Sequence, residues 1–231
     1  LELGGNAGVV IAKDADIAWA VRRCVRGAFV HAGQTCISVQ RIYVHASAHK
    51  AFLESFLSEI KKLKSGDPSD PQTFLGPMLD KSALDKAERL VQEAVRGGAR
   101  VLCGGARKDP FFEATVLENV PADCGVACEE AFSPVAVVDV FEDFDDALRR
   151  LNATRYGLQA GIFTENLDMA MKAAATVEAG AVLINDVPTY RVDSMPYGGI
   201  KDSGFGREGL RYAVEAMTEP RLIILNTKRS L

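Results

Sequence analysis

The chain has 231 residues, 48% hydrophobic and 25% charged, with a formal net charge of -4. This is ordinary globular composition, enough for one large core or two modest ones. It excludes a nucleic-acid binder, which needs concentrated basic surface, and no run of roughly eighteen apolar residues offers a membrane span. The five cysteines, Cys24, Cys36, Cys103, Cys124 and Cys128, are odd in number and do not read as a disulfide framework. A reducing cytoplasm is therefore expected.

Strand and helix signals alternate along the chain. Residues 9–12 form a short apolar strand. Asp14 offers an N-cap to a helix carrying Ile17, Val21, Cys24, Val25, Ala28 and Phe29 at helical spacing, which should stop near Gly33. Residues 37–45 are alternating and β-branched, hence a strand. Ser47 can cap a second helix with Phe52, Phe56, Leu57 and Ile60 on one face, ended by Gly66-Asp67-Pro68. Lys61, Lys62 and Lys64 suit the dipole at its C-terminus.

A third helix spans 82–96. Strands follow at 100–103, 114–117 and 135–141. Helix 143–152, strand 161–163, helix 167–177 and a buried strand 181–185 come next. The Gly-rich segment 196–209 precedes a helix at 211–217 and a terminal strand at 221–226. Short connections between alternating strands and helices predict an α/β fold, with a largely parallel sheet flanked by helices. Residues 1–218 read as one domain. Residues 219–231, set off by Glu219-Pro220, read as a strand segment that could pair with another subunit.

Gly33-Gln34-Thr35-Cys36 places a thiol on a turn between a helix and a strand, a kind of junction where α/β folds present reactive groups. By itself it reads more readily as an inert thiol than as a catalytic one. Glu2 precedes the Gly4-Gly5 turn, which lets backbone come close to a ligand. By itself it reads as a solvated carboxylate. His45 and His49, like Cys124 and Cys128, lie four apart without a second pair, so no metal site is expected. The glycines from Gly198 to Gly209 follow neither P-loop nor Rossmann order and read as a tight structural crossing. Asn185 reads as a strand-end amide satisfying nearby backbone.

Together, Glu2-Leu3-Gly4-Gly5-Asn6 and Gly33-Gln34-Thr35-Cys36, at a spacing of 34 positions from Glu to Cys, resemble the aldehyde dehydrogenase superfamily. The resemblance continues in order. It runs through Leu75-Gly76-Pro77-Met78, then Glu130-Ala131-Phe132-Ser133-Pro134 as a cofactor motif. It ends with Ala181 to Asn185 and Pro196 to Glu208. Several ordered motifs are far more specific than any one of them.

The resemblance implies that Cys36 attacks an aldehyde, forming a thiohemiacetal and then a thioester, with its own N–H donating to the oxyanion. It implies Glu2 as the general base that activates the hydrolytic water. Glu130 would bind the nicotinamide ribose, Phe132 would pack near the nicotinamide ring, and the Leu3 backbone would touch the nicotinamide end. The cofactor is NAD or NADP, and a homo-oligomer is implied. Residues 1–5 would be a stub of a preceding cofactor domain that binds most of it. An upstream oxyanion-binding Asn would also fall outside the chain.

The sequence departs from the family pattern at Gly8, where Pro is common, at Ser133, where Gly is usual, and at Ser38, where Ala is common. If the Ser133 position needs a positive φ, the loop is strained or shifted.

Glu2 favours hydrolysis over transfer to coenzyme A. Two other readings stay open, a CoA-acylating enzyme and a non-catalytic structural or oligomerisation module. The isolated chain is expected to be inactive as a dehydrogenase, and Cys36 to be its most reactive thiol. NAD should accordingly give this chain no saturable thermal shift. A large saturable rise in Tm would contradict the expected division of the cofactor site, because a ligand of the native state must stabilise it.

Overall fold

The computed structural model describes residues 1–226. In chain order the elements begin β1 (Ala7–Ile11), α1 (Ile17–Phe29), β2 (Val39–His45), α2 (Ala46–Ile60), α3 (Lys81–Arg96) and β3 (Arg100–Cys103). Next are β4 (Arg107–Lys108), β5 (Phe111–Phe112), β6 (Thr115–Glu118), α4 (Gly125–Cys128), β7 (Val135–Phe141) and α5 (Phe144–Asn152). The rest are β8 (Tyr156–Gly157), β9 (Gln159–Phe163), α6 (Leu167–Thr176), β10 (Ala181–Ile184), β11 (Ile200–Lys201) and α7 (Leu210–Met217).

Seven strands form one sheet in the order β10-β9-β1-β2-β7-β6-β3. Neighbours are parallel except β3, which pairs antiparallel with β6 at the edge. The α/β expectation holds. Alternation of side chains across each strand divides the core between the two faces. Val9, Ile11, Ile42 and Val44 face one cluster with Phe29, Phe52 and Phe56. Val10 and Tyr43 face a second cluster with Phe141, Leu148, Leu151 and Ile162. A sheet covered on both faces needs near-continuous apolar strands, which is why these runs read so clearly.

Several boundaries differ from the expectation. Asp16, not Asp14, caps α1 by accepting the Trp19 N–H at 2.9 Å. Asp14 instead accepts from Thr164 Oγ1 at 2.9 Å and from the Glu165 N–H at 3.0 Å. His45, not Ser47, caps α2. Strand β2 starts at Val39 because Ser38 N–H closes a turn onto the Thr35 carbonyl at 3.0 Å. Asn185 behaves as read: its side chain accepts the Thr164 N–H at 2.9 Å, and its carbonyl accepts the Trp19 indole N–H at 2.8 Å.

The terminal segment differs most. Residues 221–226 pair with no strand among the described residues, and Leu222, Ile223, Ile224 and Leu225 lie exposed. An apolar run can signal a strand but cannot supply its partner. The remainder of the expected strand segment, residues 227–231, lies outside the described residues.

A buried polar network ties the sheet to the loop before β7. Gln40 Nε2 donates to the Val126 and Glu129 carbonyls, each at 2.7 Å, and its Oε1 accepts the Ala131 N–H at 2.9 Å. Asn6 Nδ2 donates to the Ala127 and Glu129 carbonyls at 3.1 and 2.8 Å. Arg41 is buried beside them. It donates to both oxygens of Asn6, to the Arg150 and Leu151 carbonyls and to the Tyr43 hydroxyl. Replacing Gln40 with Leu strands several buried backbone groups, each worth about 1–3 kcal/mol when unsatisfied. Urea unfolding of Gln40→Leu should show a loss of about 2–3 kcal/mol at unchanged slope. A loss below about 0.5 kcal/mol would contradict the network's role.

Candidate active site

The residues singled out by the sequence all precede strands. Glu2 lies before β1, Cys36 before β2, and Glu130 and Phe132 before β7. Parallel strands share one amino edge, so the topology gathers these residues there. This is the opposite end from the usual ligand crevice at strand carboxyl ends. It is also the end where α1 terminates, so α1 turns its C-terminus, not its N-terminus, toward the thiol.

Glycine makes the approach possible. A Cβ on Gly5 would sit 2.2 Å from the Cys36 carbonyl oxygen, and one on Gly4 would sit 2.8 Å from Glu130 Oε2. The Gly-rich segment holds the other side. Leu3 N–H donates to the Ser203 carbonyl at 3.1 Å, Phe205 N–H to the Leu1 carbonyl at 3.1 Å, and Ser203 Oγ to the Gly4 carbonyl at 2.7 Å. Its structural reading is thereby sharpened: it is the extended partner that fixes Glu2.

Between these walls Cys36 Sγ donates to Glu2 Oε1 at 2.9 Å. The Tyr197 hydroxyl lies 3.4 Å from each of these two atoms. The Cys36 turn follows His31, Ala32 and Gly33, whose φ values are 53°, 54° and 68°. It is braced by Gln34, whose side chain donates to the Pro77 carbonyl at 3.3 Å and accepts the Leu79 N–H at 2.7 Å.

Burial pushes the Cys36 thiol up to about 11, with the Glu2 hydrogen bond and charge adding to it and Tyr197 acting against it. At rest Cys36 is therefore a protonated thiol. Burial and the raised thiol both weigh against the expectation that Cys36 is the most reactive of the five: it is half-buried, whereas Cys128 is exposed.

Glu130 Oε1 accepts the Gly5 N–H at 3.0 Å, and Lys86 Nζ donates to the Glu130 carbonyl at 2.6 Å. Oε2 has no donor among the described residues. The Phe132 ring stands 37% exposed nearby in sequence. A half-buried carboxylate with a free oxygen, close to an exposed aromatic face, fits a ribose diol carrying a flat ring. Leu3 enters through its backbone, its side chain being exposed. The positive φ falls at Phe132 (48°), not at Ser133. Ser133 is buried because its carbonyl abuts Gly33, where a Cβ would come within 2.1 Å.

Three of the residues weighed as metal ligands have other neighbours. His45 Nδ1 pairs with Ser47 Oγ at 2.8 Å, His49 lies 3.4 Å from Glu118, and Cys128 Sγ donates to the Ala122 carbonyl at 2.9 Å. Sequence reasoning missed Tyr197, Gln34 and Lys86. Tyr197 had one available signal, an aromatic side chain directly before Gly198-Gly199.

The family model described as "Aldehyde dehydrogenase family" matches residues 1–223. The 3-sulfolactaldehyde dehydrogenase of Priestia megaterium is 45% identical over 226 residues, covering 98% of this chain and 47% of that protein. The crystal structure of aldehyde dehydrogenase 21 from Physcomitrella patens, in complex with the reaction product succinate, is 45% identical. It has a TM-score of 0.92 over 94% of this chain and 46% of that one. Glyceraldehyde-3-phosphate dehydrogenase GapN of Methanocaldococcus jannaschii, complexed with NADP, is 40% identical with a TM-score of 0.90 over 94% of this chain and 47% of that one. The chain thus spans about half the length of the curated relatives it matches.

Alkylation with iodoacetamide at neutral pH, followed by peptide mass mapping, should modify Cys128 before Cys36. Cys36 labelling should climb as pH rises toward about 11. A flat pH response of Cys36 below pH 9 would contradict the protonated resting thiol.

Proposed function

The chain belongs to the aldehyde dehydrogenase family, and we propose that it is the thiol-bearing part of an NAD(P)-dependent enzyme that oxidises a small aldehyde to a carboxylic acid. The observation that carries this reading is the 2.9 Å contact between Cys36 Sγ and Glu2 Oε1. It supports a nucleophile and a base that exchange one proton directly.

In the first step Glu2 takes the thiol proton and the Cys36 sulfur bonds to the aldehyde carbon, giving a thiohemiacetal. The Cys36 N–H donates to the oxyanion. A nicotinamide cofactor, when bound, supplies the hydride acceptor that turns this adduct into a thioester. Glu130 would hold the ribose, and Phe132 and the Leu3 backbone would lie at the nicotinamide end. Glu2 then releases the thiol proton to solvent and, as a carboxylate again, takes a proton from water as that water attacks the thioester; the departing Cys36 thiolate takes this proton back, releasing the acid and restoring the thiol. Glu2 so close to the sulfur favours water over coenzyme A as the acyl acceptor.

Relatives named for sulfolactaldehyde, aspartate semialdehyde and lactaldehyde support a small polar aldehyde as substrate. The five free thiols favour a reducing compartment, the cytoplasm. Exposed Leu210, Val214 and Met217 on α7, with the apolar run 222–225, favour a homo-oligomer.

An activated ester tests the thiol and the base without a cofactor. With p-nitrophenyl acetate the chain should give a stoichiometric burst of nitrophenolate, then slow turnover. Cys36→Ser should abolish both. Glu2→Gln should keep a burst at about pH 9 while the following turnover drops about 100-fold, the scale of general-base catalysis. Undiminished turnover in Glu2→Gln would remove Glu2 as the base.

A further inference from the structure

Tyr197 is buried and held rigidly. Its N–H donates to the Glu208 carbonyl at 3.1 Å, and its carbonyl accepts the Glu208 N–H at 2.6 Å. The bridge aims the phenol at the reacting pair. Its hydroxyl closes a triangle with Cys36 Sγ and Glu2 Oε1, with sides of 3.4, 3.4 and 2.9 Å.

The two long sides are not equivalent. An O–H···O bond runs about 2.5–3.0 Å, so 3.4 Å is stretched for the carboxylate. Sulfur is larger, and 3.4 Å is an ordinary approach to it. The hydroxyl proton is therefore better placed on the sulfur than on Glu2. On the far side of the ring, the Arg191 guanidinium carbon lies 4.2 Å from the ring centroid. A cation over the π face withdraws electron density and makes the phenol a stronger donor. Arg191 also reaches Glu208 Oε2 at 3.4 Å, which holds it in place.

We propose that Tyr197 is a further catalytic residue, whose hydroxyl donates to the Cys36 sulfur as the thiol proton passes to Glu2, with Arg191 as the positioning residue that polarises the ring. The S–H bond breaks, an O–H bond forms on Glu2, and Tyr197 keeps its own proton. The inference rests on the reading of Cys36 and Glu2 as nucleophile and base.

The chemistry calls for such a donor. Burial, Glu2 and Glu130 all oppose a negative charge on this sulfur, and the Tyr197 hydroxyl favours it. Burial, with Cys36 and Glu2, pushes the phenol itself well up, so Tyr197 keeps its proton and stays a donor, and Arg191 works against that rise. A hydrogen bond to a charged group is strong enough to raise the thiolate fraction about tenfold.

The test is the rate of Cys36 alkylation in the full 231-residue chain, read by peptide mass mapping between about pH 8 and 10. Removing the donor lowers the thiolate fraction about tenfold, partly offset because a more basic thiolate is more nucleophilic. Tyr197→Phe should thus label Cys36 about threefold more slowly at every pH on this limb. Arg191→Gln, at an exposed position, should label it about twofold more slowly. A merely structural hydroxyl would leave labelling unchanged, or speed it by loosening the site. Labelling of folded Tyr197→Phe at or above the wild-type rate overturns the proposal. If Tyr197→Phe does not fold, Arg191→Gln decides by the same criterion. Absence of an ester burst in the wild-type chain sinks the underlying reading of Cys36. A normal burst with unslowed variants sinks only the role of Tyr197.

Discussion

The backbone of Gly5 lies against the carbonyl of Cys36 so closely that a single methyl group would occupy the oxygen's space. Two segments distant in sequence are joined there without any side chain between them. The Gly5 N–H holds Glu130 on one flank, Gly4 gives the same carboxylate room, and Glu2 reaches the sulfur on the other. Three functional groups are thus referenced to one stretch of extended chain. Glycine supplies the only side chain small enough for that approach.

The rest of the molecule makes the approach rigid. The parallel sheet brings the amino ends of β1, β2 and β7 to one edge, and the site is built from the residues entering those strands. Short loops at a sheet edge would wander if their backbone groups were free. Here Gln40 and Asn6, planted at the starts of β2 and β1, satisfy the carbonyls of the loop that carries Glu130, and Arg41 in turn holds Asn6. Buried amides of this kind are favourable only when fully paired, so they specify one geometry. On the opposite wall the Gly-rich segment presents Ser203 and Phe205 to the first residues of the chain and Tyr197 to the sulfur.

Most of the fold was legible because a sheet covered on both faces leaves continuous apolar strands separated by amphipathic helices. What failed was local and had local causes. Asp14 and Asp16 are equally good caps on paper, and a distant Thr164 claims the first. The apolar run 221–226 looks like a strand, but pairing is not a property of the run itself. Glu2 and Cys36 were legible as a pair only through their spacing and the resemblance it carries. Tyr197 was not, because a phenol inside a Gly-rich segment looks structural until its hydroxyl is seen beside the thiol. Pairing Glu2 with Cys36 already implies that the carboxylate opposes a thiolate; what the sequence hides is burial, which is the larger cause and pushes the thiol up to about 11.

That shift gives the account its physical content. In the proposed mechanism Glu2 receives the thiol proton, so its charge and its hydrogen bond to the S–H both bear on the Cys36 equilibrium. The direct measurement is an NMR titration of the chain labelled with 13Cβ-cysteine, following the Cys36 resonance in wild type and in Glu2→Gln. The account predicts a wild-type midpoint near 11 that falls in Glu2→Gln, where both the carboxylate charge and its hold on the S–H are gone. A Cys36 midpoint that stays the same in Glu2→Gln would mean that the contact does no chemical work, and would contradict the account.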